Sequence, residues 1–155
     1  MELVARSISA AETIPIRWEI LRPSFPRETA IFAGDEAPET RHLGVFLEDR
    51  LVGVASLYRA VCPDEPAAVS PLQLRGMATV PEVRGRGAGR VLLEACKRTV
   101  RLEGCDWLWC NARIVAITFY QKHGWVVRTG EFEIPTVGPH VRMTRALTHP
   151  ARVAV

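Results

Sequence analysis

Residues 84–90, Arg84-Gly85-Arg86-Gly87-Ala88-Gly89-Arg90, set three glycines and three arginines in seven positions. An apolar stretch, residues 72–80, precedes them, and an amphipathic run follows. Glycine lacks Cβ, so such a loop turns tightly and aims successive backbone N–H groups into one concavity. A helix starting at its end adds first-turn N–H groups without intrahelical acceptors, and the positive end of its dipole. The chemistry this order supports is the holding of a phosphate or pyrophosphate.

Two common phosphate motifs do not fit. The Walker loop needs Lys-Ser or Lys-Thr after its last glycine, and no glycine here is followed by either pair. The dinucleotide fingerprint G-x-G-x-x-G accepts Gly85 and Gly87 but puts Arg90 at its third glycine. Its acidic residue should end the next strand, whereas Asp106 begins it. The spacing that fits is Arg84-x-x-Gly87-x-Gly89, between a strand and a helix. It resembles the pyrophosphate loop, [QR]-x-x-G-x-[GA], of the GNAT superfamily of acetyl-CoA-dependent N-acetyltransferases. A second segment is similar to the same superfamily. The strand Trp107-Leu108-Trp109-Cys110 leaves through Asn111. Then Ala116-Ile117-Thr118-Phe119-Tyr120-Gln121-Lys122-His123-Gly124-Trp125 follows the later pattern N/A-x-x-A-x-x-F-Y-x-x-x-G-F from its second fixed position onward, with Trp125 as the last aromatic. The resemblance covers residues 42–128 well and the first forty residues only loosely.

The resemblance implies acetyl-CoA as cosubstrate and an amine, on a small molecule or a protein, as acceptor. It implies direct attack of that amine in a ternary complex. The loop Arg84, Gly85, Arg86, Gly87, Ala88, Gly89 and Arg90 would hold the cofactor's phosphates. The strand backbone at Met77, Ala78, Thr79 and Val80 would pair with the pantetheine arm, and one of its N–H groups would polarise the acetyl carbonyl. Asn111 matches a position that contacts the same arm; an ordinary strand-end asparagine is the alternative. Tyr120 would touch the cofactor and protonate the leaving sulfur. A phenol titrating near about 10 and a thiol near about 8.5 are close enough for useful proton transfer. The alternative for Tyr120 is a buried aromatic beside Phe119. An acyl-CoA-binding regulatory module without turnover, on the same fold, is the second functional reading.

The base is less defined. Glu82 stands at the loop entrance, where a solvated carboxylate is the default. His140 follows the Gly138-Pro139 turn and carries an imidazole that titrates near neutrality. His42, opening a strand, is a weaker candidate, and water alone is another route. Arg17, Trp18 and Arg22 on a first helix are candidates to line the acceptor side, although core packing explains Trp18 equally well.

These residues need elements to position them. The pattern predicts strands at 2–6, 42–47, 51–61, 72–80, 106–111, 125–128 and 140–145. Helices are predicted from Thr13, with Pro15 in the first turn, over 88–103, and over 115–123. In the central helix Val91, Leu92, Ala95, Cys96 and Leu102 take the apolar side. Residues 23–41 read as loop with room for a short helix. Strands in runs broken by helices indicate α/β. The resemblance makes this a GNAT-like, mixed, mostly antiparallel central sheet with flanking helices, in a single domain over 1–147 with a tail at 148–155.

At 155 residues, 48% hydrophobic and 24% charged, the chain has the composition of a soluble globule. No apolar run reaches a membrane span, and the first residues lack a signal-peptide pattern. Cys62, Cys96, Cys105 and Cys110 form no C-x-x-C pair, so buried thiols in a reducing, cytoplasmic setting are expected, with no metal. Cys110 as a nucleophile would need an activating neighbour. All but two (Lys97 and Lys122) of the 20 basic residues are arginine, which suits a polyanionic cofactor but equally reflects genomic base composition. The net charge of +3 and the lack of a basic track argue against nucleic acid as partner. A homodimer is compatible with the family type, yet no segment marks an interface.

Overall fold

The computed structural model describes residues 2–147. The segment 148–155, expected as a tail, lies outside the described residues. Among the described residues, eight strands and three α-helices make an α/β fold whose sheet is mixed and mostly antiparallel. By contact density the chain divides into two compact units. One holds the residues up to Tyr58 with Leu74–Thr99; the other holds Arg59–Gln73 with the residues from Val100 onward.

In the first unit β1 (Leu3–Ser7) runs antiparallel to β2 (Arg41–Leu47), and β2 to β3 (Arg50–Arg59). Glu48 turns the β2–β3 hairpin with φ 56. From Val52 to Tyr58 every residue of β3 is buried, so both faces of this strand are covered. β4 (Leu72–Thr79) leads to the loop, and Val80 N–H donates to Val52 O at 2.9 Å.

The first helix begins earlier than its sequence pattern predicts. α1 is Ala10–Ile16, capped by Ser9 rather than Thr13. Ser9 accepts from Glu12 N–H while the Glu12 carboxylate accepts from Ser9 N–H, a reciprocal capping box that outcompetes Thr13. Thr13 is buried inside the helix and bonds Ala10 O at 2.6 Å. Pro15 thus lies inside the helix, and the chain loosens into a π-type turn over Arg17–Leu21.

α2 (Ala88–Leu102) buries Leu92, Leu93, Ala95, Cys96 and Val100. The apolar stripe is rotated from the expected one. Leu102 is 88% exposed, because the 3.6-residue period carries 92, 96 and 100 inward and turns 102 away.

In the second unit β5 (Trp107–Arg113) pairs antiparallel with β8 (Gly138–Ala146), from Trp107–Ala146 to Arg113–His140. β5 also pairs parallel with the start of β4, through Leu72–Leu108 and Gln73–Trp109. α3 (Ile117–Lys122) follows a 3-10 turn at Ile114–Ala116. β8 carries two short partners, β6 (Val126–Val127) and β7 (Phe132–Ile134). β7 carries too little alternation in its three residues to be predicted. It exists because Thr136 and Gly138 adopt φ 66 and 116, and this turn folds Phe132 back onto His140.

All four cysteines are free thiols and buried. Burial pushes the Cys96 thiol up to about 12 and raises those of Cys105 and Cys110. Cys110 therefore lacks the lowered thiol a nucleophile needs.

Candidate active site

The loop after β4 is built by a 3-10 turn, Pro81–Val83, followed by two glycines in the left-handed region, Gly85 (φ 79) and Gly87 (φ 89). Arg84 N–H closes on Pro81 O at 3.2 Å and Arg86 N–H on Val83 O at 3.1 Å. Val91 N–H donates to Gly87 O at 3.0 Å and starts the helical ladder. The amides of Ala88, Gly89 and Arg90 therefore belong to the first turn of a fifteen-residue helix, where no intrahelical acceptor reaches them. The Arg86 amide, offered by its position for the same task, is instead committed to the turn.

A Cβ on Gly85 would touch nothing within 4 Å; on Gly87 it would meet only a guanidinium nitrogen of Arg90, at 3.9 Å. Both positions need glycine for backbone conformation, and the loop's face is open to a ligand. Amides at a helix start, with Arg90 beside them, suit an oxyanion such as a diphosphate. Glu82 lies in the same segment. Its carboxylate faces solvent and meets Arg50 at 3.7 Å, a surface pair.

Within β4, Gly76 takes φ 64, a left-handed residue inside a strand. A Cβ there would stand 2.9 Å from both Arg17 Nε and a Phe32 ring carbon. This glycine kinks the strand immediately before Met77, Ala78 and Thr79. Val80 N–H is already bonded to Val52 O, so of the four amides considered for the acetyl carbonyl this one is occupied.

The remaining candidates lie in the second unit. Asn111 sits on β5 opposite Arg142 of β8; its Oδ1 is buried and has no hydrogen-bond partner among the described residues. Such an acceptor fits a donor brought by a ligand, as an amide-bearing cofactor arm would bring. Tyr120 is buried on α3, its ring 5.1 Å from Trp125 and 5.4 Å from Phe119. His140 is buried, opposite Phe132, with ring centroids 6.3 Å apart. Its Nδ1 lies 2.8 Å from Gly138 O, so Nδ1 carries the proton in the neutral ring and Nε2 keeps its lone pair.

Residues 10–125 match the model of the acetyltransferase (GNAT) family. The chain belongs to that family. It is 35% identical over 145 residues to the uncharacterized N-acetyltransferase YitI of Bacillus subtilis (strain 168), a match covering 94% of this chain and 97% of that protein. Among solved structures, Escherichia coli ElaA matches with TM-score 0.73 at 19% identity, over 93% of this chain and 99% of its own. An aminoglycoside 6'-N-acetyltransferase complexed with coenzyme A matches with TM-score 0.74 at 12% identity, over 95% and 99%. These two likenesses are of fold. Family and relative together make the chain an acetyltransferase enzyme of the GNAT kind.

What sequence reasoning missed in this GNAT chain is a buried polar network in the first unit. Arg17, expected on the acceptor side, is fully buried. Its guanidinium donates to Asp35 at 2.8 and 3.1 Å, to Ala30 O at 3.0 Å, to Ser56 Oγ at 2.8 Å and to Tyr58 Oη at 2.9 Å. Tyr58 donates to Asp35 Oδ1 at 2.5 Å, and Phe32 N–H to Oδ2 at 2.9 Å. His42 bridges Ser56 Oγ (2.6 Å) and Asp35 O (2.8 Å), which makes it a structural link here. Burial alone would raise the Asp35 carboxyl. The bonds from Arg17, Tyr58 and Phe32, with the Arg17 charge, outweigh it and hold the group below the usual range. Burial and the Asp35 contact push the Tyr58 phenol up to about 12. A partial signal existed, since His42 pairs with Ser56 across the hairpin and Tyr58 shares that face by the two-residue period. Asp35 offers no such signal, because it comes from an irregular segment.

No group of three or more His, Cys, Asp or Glu among the described residues suits a metal ion, and no described helix is long and apolar enough to cross a membrane.

Proposed function

We propose that this acetyltransferase uses acetyl-CoA as donor and an amine as acceptor, with direct attack in a ternary complex. The observation that carries the donor is the loop: unsatisfied amides at the start of α2, set by Gly85 and Gly87 at positive φ and flanked by Arg90. Acetyl-CoA supplies an activated thioester. The residues of this chain bind, orient and move protons. Amides from Gly87 to Arg90, with the Arg84, Arg86 and Arg90 charges, grip the diphosphate. An amide of Met77, Ala78 or Thr79 polarises the acetyl carbonyl; one such donor contributes roughly 3 kcal/mol to a transition state. Asn111 Oδ1 accepts from the cofactor's arm. Tyr120 hands its proton to the departing sulfur, an assignment supported by its place in the family motif. His140, whose Nδ1 faces Gly138 O and so leaves Nε2 as the acceptor nitrogen of the neutral ring, is the first candidate base; Glu82 faces solvent beside Arg50 and ranks behind it.

The test is release of free CoA from acetyl-CoA across a panel of primary amines. Amine-dependent release supports transfer. Saturable acetyl-CoA binding without release for any amine would refute it.

A further inference from the structure

Two arginines flank Phe32, and they are treated differently. The Arg17 guanidinium carbon lies 4.1 Å from the ring centroid, is sealed from solvent, and uses its two terminal nitrogens on Asp35, Ala30, Ser56 and Tyr58. Arg75, on β4, lies 4.8 Å from the same ring and 5.2 Å from the Tyr58 ring. It is half-buried, yet forms no hydrogen bond or ion pair among the described residues. Ring faces hold the flat guanidinium in place, while its N–H groups remain unmatched. The nearby carboxylate, Asp35, is already saturated by Arg17, Tyr58 and Phe32 N–H, and so does not neutralise Arg75.

Arg75 stands one residue before the Gly76 kink and two before Met77, where the strand backbone is assigned to the acetyl group. Arg75 and that backbone belong to neighbouring positions of one strand, so a single small acceptor can offer its amine to the acetyl group and a carboxylate to the guanidinium. A pre-set guanidinium with unmatched N–H groups is the fork that binds a carboxylate bidentately. We propose that Arg75 is a specificity residue that recognises a carboxylate on the acceptor, so that the acceptor is an amino acid or a similar amino-carboxylate. A polyamine or other purely cationic amine would be repelled by Arg75. The inference rests on the acetyl-transfer reading above.

The experiment compares amino acids with their matched carboxamides, with spermidine and putrescine as cationic amines, following CoA release. The wild-type protein should favour the carboxylates by at least about tenfold in kcat/KM. Arg75→Gln should erase most of that preference through KM, Arg75→Lys should restore part of it, and both should bind acetyl-CoA as the wild type does, which shows that they fold. Turnover that favours carboxamides or polyamines, or a carboxylate preference that survives Arg75→Gln, overturns the role of Arg75 while leaving acetyl transfer intact. Absence of turnover with every amine removes both.

Discussion

The Arg17 guanidinium meets the Asp35 carboxylate through two hydrogen bonds, with neither side chain in appreciable contact with water. Removing one partner strands the other as a buried charge, which typically costs about 3–5 kcal/mol. Asp35→Ala and Arg17→Met should each lose that much in urea unfolding at neutral pH. The double change Arg17→Met with Asp35→Leu should lose less than the two singles combined, since no lone charge remains. Strict additivity would deny the coupling.

Tyr58 makes the same network sensitive to alkali. Its phenol keeps its proton up to about 12 in the folded chain, against an unfolded value of about 10. The stability this gives is complete below about 10 and disappears as pH rises towards about 12. Asp35 acts at the other end: its lowered folded value gives stability present above about 3.9 and lost as acid protonates the folded group. Melting temperature should therefore fall between pH 10 and 12, and less steeply in Tyr58→Phe. Parallel slopes for the two proteins would count against the Tyr58 assignment.

Gly87 is the sharpest probe of the anion loop. Gly87→Glu places a Cβ at φ 89 and a negative charge among the amides. Calorimetry should show acetyl-CoA binding lost, with the unfolding transition retained. Binding of wild-type strength would move the diphosphate away from residues 84–90.

Tyr120→Phe keeps the ring against Phe119 and Trp125 and removes only the hydroxyl. Loss of a general acid usually slows turnover by about a hundredfold or more. Single-turnover rates should drop accordingly while acetyl-CoA affinity holds. Equal rates would take Tyr120 out of the chemistry.

The α2 loop was legible because its conformation depends on residue types: glycine at positive φ and a helix start leave a pattern in the letters. The β2–β3 hairpin, β4 and α2 were legible by period and turn residues for the same reason. The sequence pattern sets the cap of α1 four residues late because Thr13 and Ser9 are both competent caps, and only the reciprocal bond with Glu12 decides between them. The Arg17 network was hidden because its members are scattered across residues 17 to 58 and meet only after folding. Arg75 was hidden for a related reason: a guanidinium held by rings from two other segments has no local signature.

The sealed thiols have a practical corollary. Coenzyme A released by turnover would be the reactive sulfhydryl in solution, while Cys62, Cys96, Cys105 and Cys110 stay out of reach of a chromogenic disulfide reagent. A continuous colour assay should thus run with little background from the protein, and any slow rise without acetyl-CoA would time the spontaneous opening of the chain itself.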